Sequence, residues 1–168
     1  MTQTFTIRPM HPEDLPEVVR IQALCYSQIV PESPESLTDK QRLSPDTCLV
    51  ACTGAGLLAY LLTLPWCAAS PPLLDARLDA LPAQPDCLYM HDLAVDPTAR
   101  GSGAGRLLVE QVLMQAQQQG LQQVCLIAIQ GSQPYWQRYG FAPVTPDARL
   151  AHKLASYGED VCYMQRQA

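Results

Sequence analysis

Charge is scarce in this chain: only 16% of its 168 residues are charged, and the formal net charge is −5. There is no cluster of Lys and Arg, so the footprint of a nucleic-acid binder is missing and no such partner is expected. The acidic balance speaks mainly to solubility and only weakly favours cationic small molecules. Long apolar runs are missing too. The longest, Leu57 to Leu64, is far too short to cross a bilayer, so no membrane partner is expected. The opening Met-Thr-Gln-Thr-Phe-Thr-Ile-Arg holds no apolar signal core, and a cytoplasmic protein is expected. The seven cysteines include no Cys-x-x-Cys pair, and none of the three histidines stands at zinc-site spacing to one. No metal is therefore expected, and Cys48 and Cys52, on one strand face, read as core thiols. Neither an internal repeat nor a linker interrupts the chain, so a single domain over residues 1–168 is expected.

What is present is enough apolar material for a core, 48% of residues. Phe5 and Ile7 alternate with threonines and predict a first strand ended by Pro9. Leu15, Val18, Val19, Gln22 and Leu24 predict a helix over Asp14 to Cys25. Gln28 to Asp46 is polar and proline-bearing, with a short helix over Ser36 to Leu43. Cys48–Cys52 and Leu57–Leu64 predict a hairpin around Thr53-Gly54-Ala55-Gly56. Pro65 to Asp86 reads as a long loop with one helical turn around Leu74 to Leu81. A loop of that length is more often functional than filler. After a further strand, a helix buries Leu107, Leu108, Val112 and Ala116 and is capped by Gly120. The apolar run Val124 to Ile129 predicts a strand parallel to the one before the helix, with the usual right-handed crossover. Pro134 to Tyr139 predicts a short helix stopped by Gly140. Phe141–Val144 and Val161–Met164 read as two last strands, whose exposed apolar edges permit a homodimer.

The most informative stretch is Leu88 to Gly105. An apolar strand stops at Asp96-Pro97, and Gly101, Gly103 and Gly105 then open the long helix. Bare backbone N–H groups at the positive end of a helix suit phosphate oxygens. The alternative for these glycines taken alone is a tight turn and close helix packing. A dinucleotide fingerprint fails, because the third glycine position falls on Arg106 or Leu108, and a P-loop fails for want of Gly-Lys-Ser/Thr.

Arg100-Gly101-Ser102-Gly103-Ala104-Gly105 resembles the pyrophosphate loop of the Gcn5-related N-acetyltransferase (GNAT) family, with Arg100, Gly103 and Gly105 at the matching positions. Leu93-Ala94-Val95-Asp96-Pro97 is similar to the end of that family's central strand. Pro134-Tyr135-Trp136-Gln137-Arg138-Tyr139-Gly140-Phe141 is similar to its Phe-Tyr-x-x-x-Gly-Phe segment. The three blocks stand in the family's order and spacing. They imply an α/β (α+β) fold whose mixed, mostly antiparallel sheet carries a splayed parallel strand pair and is flanked by helices. The His-x-Leu-Ala-Val strand also has a weak likeness to the arylalkylamine acetyltransferase branch, which hints at a primary amine acceptor.

The resemblance implies acetyl-CoA as co-substrate. Its pyrophosphate would meet the backbone of Gly101, Ser102, Gly103, Ala104 and Gly105, with Arg100 and Arg106 adding charge. The helix dipole contributes only ~0.3–1 kcal/mol, so charge-assisted hydrogen bonds must carry most of that binding. The pantetheine arm would pair with the strand Leu93-Ala94-Val95, and the N–H near Leu93 would polarise the thioester carbonyl. An acceptor with a lysine-like amine is protonated at pH 7, a handicap of about 4–5 kcal/mol that favours a general base. His91 is that candidate: alternation puts Tyr89, His91 and Leu93 on one face, with Asp92 on the other in a structural role. Where the family often has a tyrosine to reprotonate the thiolate, this chain has Trp136, which cannot do so. Tyr135 is the favoured acid, ahead of Tyr139. Glu32, Glu35, Asp75, Asp79 and Trp66, from the two long loops, are candidates to attract a cationic acceptor. The expected activity is transfer of acetyl to a small-molecule or peptide amine by direct attack. The alternatives are a module that binds acyl-CoA without turnover and an acyltransferase using another acyl-CoA.

Overall fold

The computed structural model describes residues 4–26 and 31–168. Part of the polar loop expected from Gln28 therefore lies outside the described residues. The threonine-alternating segment forms β1 (Thr6–Pro9), and the amphipathic run after it forms α1 (Leu15–Cys25). The predicted second helix is α2 (Pro34–Leu43); the Ser33 hydroxyl caps it by accepting from the Ser36 amide at 3.2 Å. The hairpin is β2 (Leu49–Thr53) and β3 (Gly56–Trp66), followed by β4 (Cys87–Val95), α3 (Ala104–Gln118) and β5 (Gln123–Ala128). The chain ends with α4 (Gln133–Gln137), β6 (Ala142–Pro143), α5 (Ala148–Ala155) and β7 (Cys162–Gln167). The seven strands form one sheet in the order β1-β2-β3-β4-β5-β7-β6, in which β4 and β5 are the parallel pair. The mixed, mostly antiparallel sheet and its flanking helices are as expected.

One face of the sheet packs on α3 through Leu108, Val109, Val112 and Ala116, which meet Leu61, Leu88, Met90 and Leu126. Each such side chain, fully buried, contributes about 1.5–3 kcal/mol. Leu107, expected in that stripe, is 38% exposed; Val109 takes its place. The other face packs on α1 and α2 through Val18, Ile21 and Leu37. On the same face, α5 covers Cys87, Tyr89 and Cys125. The cysteines are free thiols.

One expected element is absent and one observed element was not expected. No helical turn forms over Leu74 to Leu81, because its backbone groups bond to α2 and the residues before it rather than to one another. The Leu78 amide donates to Asp39 (3.0 Å), and the Ala76 carbonyl accepts from the Ser36 hydroxyl (3.1 Å). Conversely, α5 was not foreseen. Asp147 caps it by accepting from the Leu150 amide at 2.8 Å, and Leu150 and Leu154 anchor it one turn apart.

The feature that shapes the centre is a bulge in β4. Thr63 pairs with Met90 and Leu62 with Asp92, so His91 is the extra residue. Before it, Leu88 and Met90 face α3; after it, Leu93 and Val95 do. The expectation that Tyr89, His91 and Leu93 share a face is thereby corrected, since the inserted residue reverses the alternation between Tyr89 and Leu93. His91 stays near Tyr89, with ring centroids 5.8 Å apart. Asp92 turns to the same side, toward Tyr26 and Tyr60.

Candidate active site

β4 and β5 are paired only as far as Met90 and Leu126, then part. The Asp96 amide donates to the Leu58 carbonyl at 2.8 Å, so alternation turns Ala94 toward β3 and the N–H groups of Leu93 and Val95 toward the gap. The Leu93 carbonyl accepts from the Tyr26 hydroxyl at 2.8 Å, and the Val95 carbonyl from the Cys25 thiol at 3.2 Å. The gap opens into a cavity of about 710 Å³, large enough for a drug-sized ligand.

The glycine loop forms one wall. Gly101 (φ +82°) and Gly103 (φ +89°) hold left-handed conformations that suit glycine. Gly103 is the N-cap of α3, and no protein acceptor exists among the described residues for the amides of Gly101, Gly103, Gly105 and Arg106. Ser102 and Ala104 differ. The Ser102 amide donates to Ala99 and the Ala104 amide to the Ser102 hydroxyl, both at 3.2 Å. Ser102 also stands off the cavity wall, so it shapes the loop instead of offering a donor. Arg100, Arg106 and Arg138 flank the opening, the last unforeseen. Space is tight at Gly105: a Cβ there would stand 3.2 Å from Val95 Cγ2 and 3.3 Å from the Tyr135 hydroxyl.

His91 lines the cavity, and its Nε2 is hydrogen-bonded to Glu32 Oε1. The imidazole is only 1% exposed, and its Nδ1 is shielded without a partner. The second oxygen of Glu32 meets Lys40 Nζ at 3.3 Å and accepts from the Ser36 hydroxyl at 3.2 Å. Burial would push the Glu32 carboxyl up, but His91 and Lys40 together outweigh it and hold it below the usual carboxylate range. Asp92, expected on the opposite face, also lines the cavity. It accepts from the hydroxyls of Tyr26 (2.5 Å) and Tyr60 (2.7 Å), yet burial wins and raises it to about 6. Lys40 and Tyr26 escaped sequence reasoning; the spacing Glu32, Ser36, Lys40, one helical turn per step, was the available signal.

Of the other expected acceptor residues, none reaches the cavity wall. Glu35 and Asp79 are exposed, and Asp75 is held by the Ser33 amide at 2.8 Å. Trp66 donates to the Ser70 carbonyl at 2.8 Å and packs on the α5 side. Tyr135 and Tyr139 both reach the wall, their hydroxyls 3.2 Å apart. Burial raises Tyr135 above its ordinary range, so it is a protonated phenol at neutral pH. Trp136 packs edge-on against Phe141, ring centroids 5.7 Å apart.

The model of the acetyltransferase (GNAT) family matches residues 15–141, which hold the whole of this arrangement. The chain belongs to that family. Solved GNAT structures superpose on nearly all of it. The ribosomal-protein-S18-alanine N-acetyltransferase from Escherichia coli is 17% identical, with a TM-score of 0.68 over 98% of this chain and 94% of that one. The PaiA N-acetyltransferase from Thermoplasma acidophilum, in complex with coenzyme A, is 14% identical, with a TM-score of 0.68 over 99% and 100%. The GNAT-like decarboxylase GphF, in complex with isobutyryl-CoA, is 17% identical, with a TM-score of 0.76 over 96% and 98%. At these identities the likeness is one of fold. A comparison with curated protein sequences finds no match. Among the described residues no cluster of potential metal ligands occurs and no helix is long and apolar enough to cross a membrane.

Proposed function

We propose that this GNAT protein transfers the acetyl group of acetyl-CoA to a primary amine by direct attack. The observation that carries this reading is the gap between β4 and β5, with the free amides of Leu93 and Val95 along one edge and those of Gly101, Gly103, Gly105 and Arg106 at one end. A pantetheine arm would pair with the strand edge as an added strand, and the pyrophosphate would accept from the loop. The amine nitrogen attacks the thioester carbonyl carbon, the C–S bond breaks, and the sulfur leaves with its electron pair. His91 takes the amine proton, directly or through water, and Tyr135 returns a proton to the thiolate. The thiolate is itself a fair leaving group, since a free thiol has a pKa of about 8.5. The acceptor is a small-molecule or peptide amine.

A second reading, acyl-CoA held without transfer, gains support from the shielding of the His91 imidazole. Release of free thiol from acetyl-CoA across a panel of amines separates the two. Acceptor-dependent release is expected in the wild type, and His91→Ala should slow it about 10²–10⁴-fold at pH 7. Release no faster with any amine than without one favours the binding module. A His91→Ala protein as fast as wild type removes the base assignment.

A further inference from the structure

We infer that Glu32 is the positioning residue for His91, and that Lys40 and Ser36 fix the Glu32 carboxylate behind the ring. This rests on the proposed role of His91 and adds to it the state in which the ring is held.

Three observations converge. Glu32 Oε1 takes the Nε2 side of the ring, which fixes the proton on Nε2 and leaves the lone pair on Nδ1. Nδ1 is shielded from solvent and satisfied by no protein group, on a residue of the cavity wall. A proton acceptor for an amine must be an unprotonated nitrogen with nothing else bonded to it, and only Nδ1 fits. Third, Lys40 Nζ stands 3.3 Å from Glu32 Oε2, with its side chain 0% exposed. It also donates to the Ser36 hydroxyl at 2.7 Å. Lys40 and the Ser36 hydroxyl hold Oε2 while Oε1 meets the ring, so Glu32 is fixed to orient the ring as a hydrogen-bond acceptor. The division of labour is that of any base oriented by a carboxylate behind it.

Other titratable groups surround the ring. Asp92 is its chain neighbour, Tyr26 comes from the end of α1, Tyr60 from β3, Tyr89 from β4 and Tyr157 from the segment after α5. The tyrosines are pushed up by burial and stay neutral. Of these groups, Asp92 is the one that burial brings toward neutral pH, to about 6.

The test is imidazole nitrogen NMR on the full chain, with acetyl-transfer kinetics on the same samples. Wild type should show His91 as the Nε2–H tautomer. In Glu32→Leu, which leaves no acceptor beside Nε2, the proton should redistribute between the two nitrogens, and kcat should fall about 10–100-fold with the KM for acetyl-CoA unchanged. Because this variant strands a buried Lys40, Glu32→Leu/Lys40→Met serves as the second one. It removes both charges and should give the same tautomer loss in a folded protein. An unchanged Nε2–H tautomer in either folded variant overturns the inference. Loss of the tautomer with full activity in both variants and in His91→Ala leaves Glu32 orienting the ring and refutes His91 as the base.

Discussion

Asp92 shows how much one backbone residue can change at the smallest scale. Strict alternation along β4 would separate it from His91, and the bulge instead turns both toward α1 and α2. Its carboxyl sits between two phenols that favour the ionised form, while burial opposes it, and the balance lifts it to about 6 from 3.8. A group whose pKa is raised on folding contributes stability that is fully present below the unfolded value and is lost as pH rises through the folded one. Wild-type stability should therefore decline between about pH 4 and 6 on account of Asp92. Asp92→Asn should flatten that decline and unfold at higher denaturant above pH 6. The gain is at most about 3 kcal/mol, reduced by the residue's partial exposure. Denaturant midpoints from pH 4 to 8 measure it; parallel profiles for both proteins would show that Asp92 titrates normally.

At the scale of elements, the turn between β4 and α3 divides its glycines by task. Gly103 has nothing within 4 Å of a would-be Cβ, so its constraint is conformational (φ +89°). Gly105 lies in the helix, and its constraint is the space beside Val95 and Tyr135. Gly103→Ala should therefore cost about 1–2 kcal/mol of stability from the backbone alone. Gly105→Ala gains about 1 kcal/mol of helix propensity and loses a similar amount to crowding, so its stability should stay near wild type. Its effect should appear in binding, because the new methyl presses on Val95, on the strand edge, and on the Tyr135 hydroxyl. Calorimetric affinity for CoA beside urea midpoints distinguishes the two; a Gly105→Ala protein that binds CoA as wild type does would remove the packing argument. This turn was legible in the sequence because glycine spacing before a helix is a local signal. So were β4, α3 and β5, whose apolar patterns match their burial apart from Leu107. The bulge at His91 was not, since it depends on the register against β3. The segment 74–81 misled because its donors find α2 side chains, a tertiary choice that periodicity does not record. α5 was missed although Asp147, Leu150 and Leu154 offered a cap and a one-turn pair.

For the whole molecule, the parting of β4 from β5 brings two layers into one cavity. The α3 side supplies donors for an anion, and the α1/α2 side supplies the buried Glu32, His91 and Asp92. A thioester lying in the gap would have its phosphates at one end and its acyl group near the other, where an amine can meet it. The described structure already separates the strand amides by their partners. Asp96 N–H is bonded to Leu58, and Ala94 faces β3, whereas Leu93 and Val95 turn theirs to the gap. Hydrogen exchange should read this directly. Without CoA the amides of Leu93 and Val95 should exchange quickly and those of Ala94 and Asp96 slowly. Saturating CoA should slow the first pair by pairing with them, and at a hundred times Kd it should add about 2.7 kcal/mol to global stability. The neighbouring amides supply the internal control, because a purely global effect slows all four together. Selective protection of Leu93 and Val95 requires a ligand strand in the gap. If CoA raises the melting temperature without that selectivity, it is held by the glycine loop alone, and the thioester is not aligned for the chemistry proposed at His91.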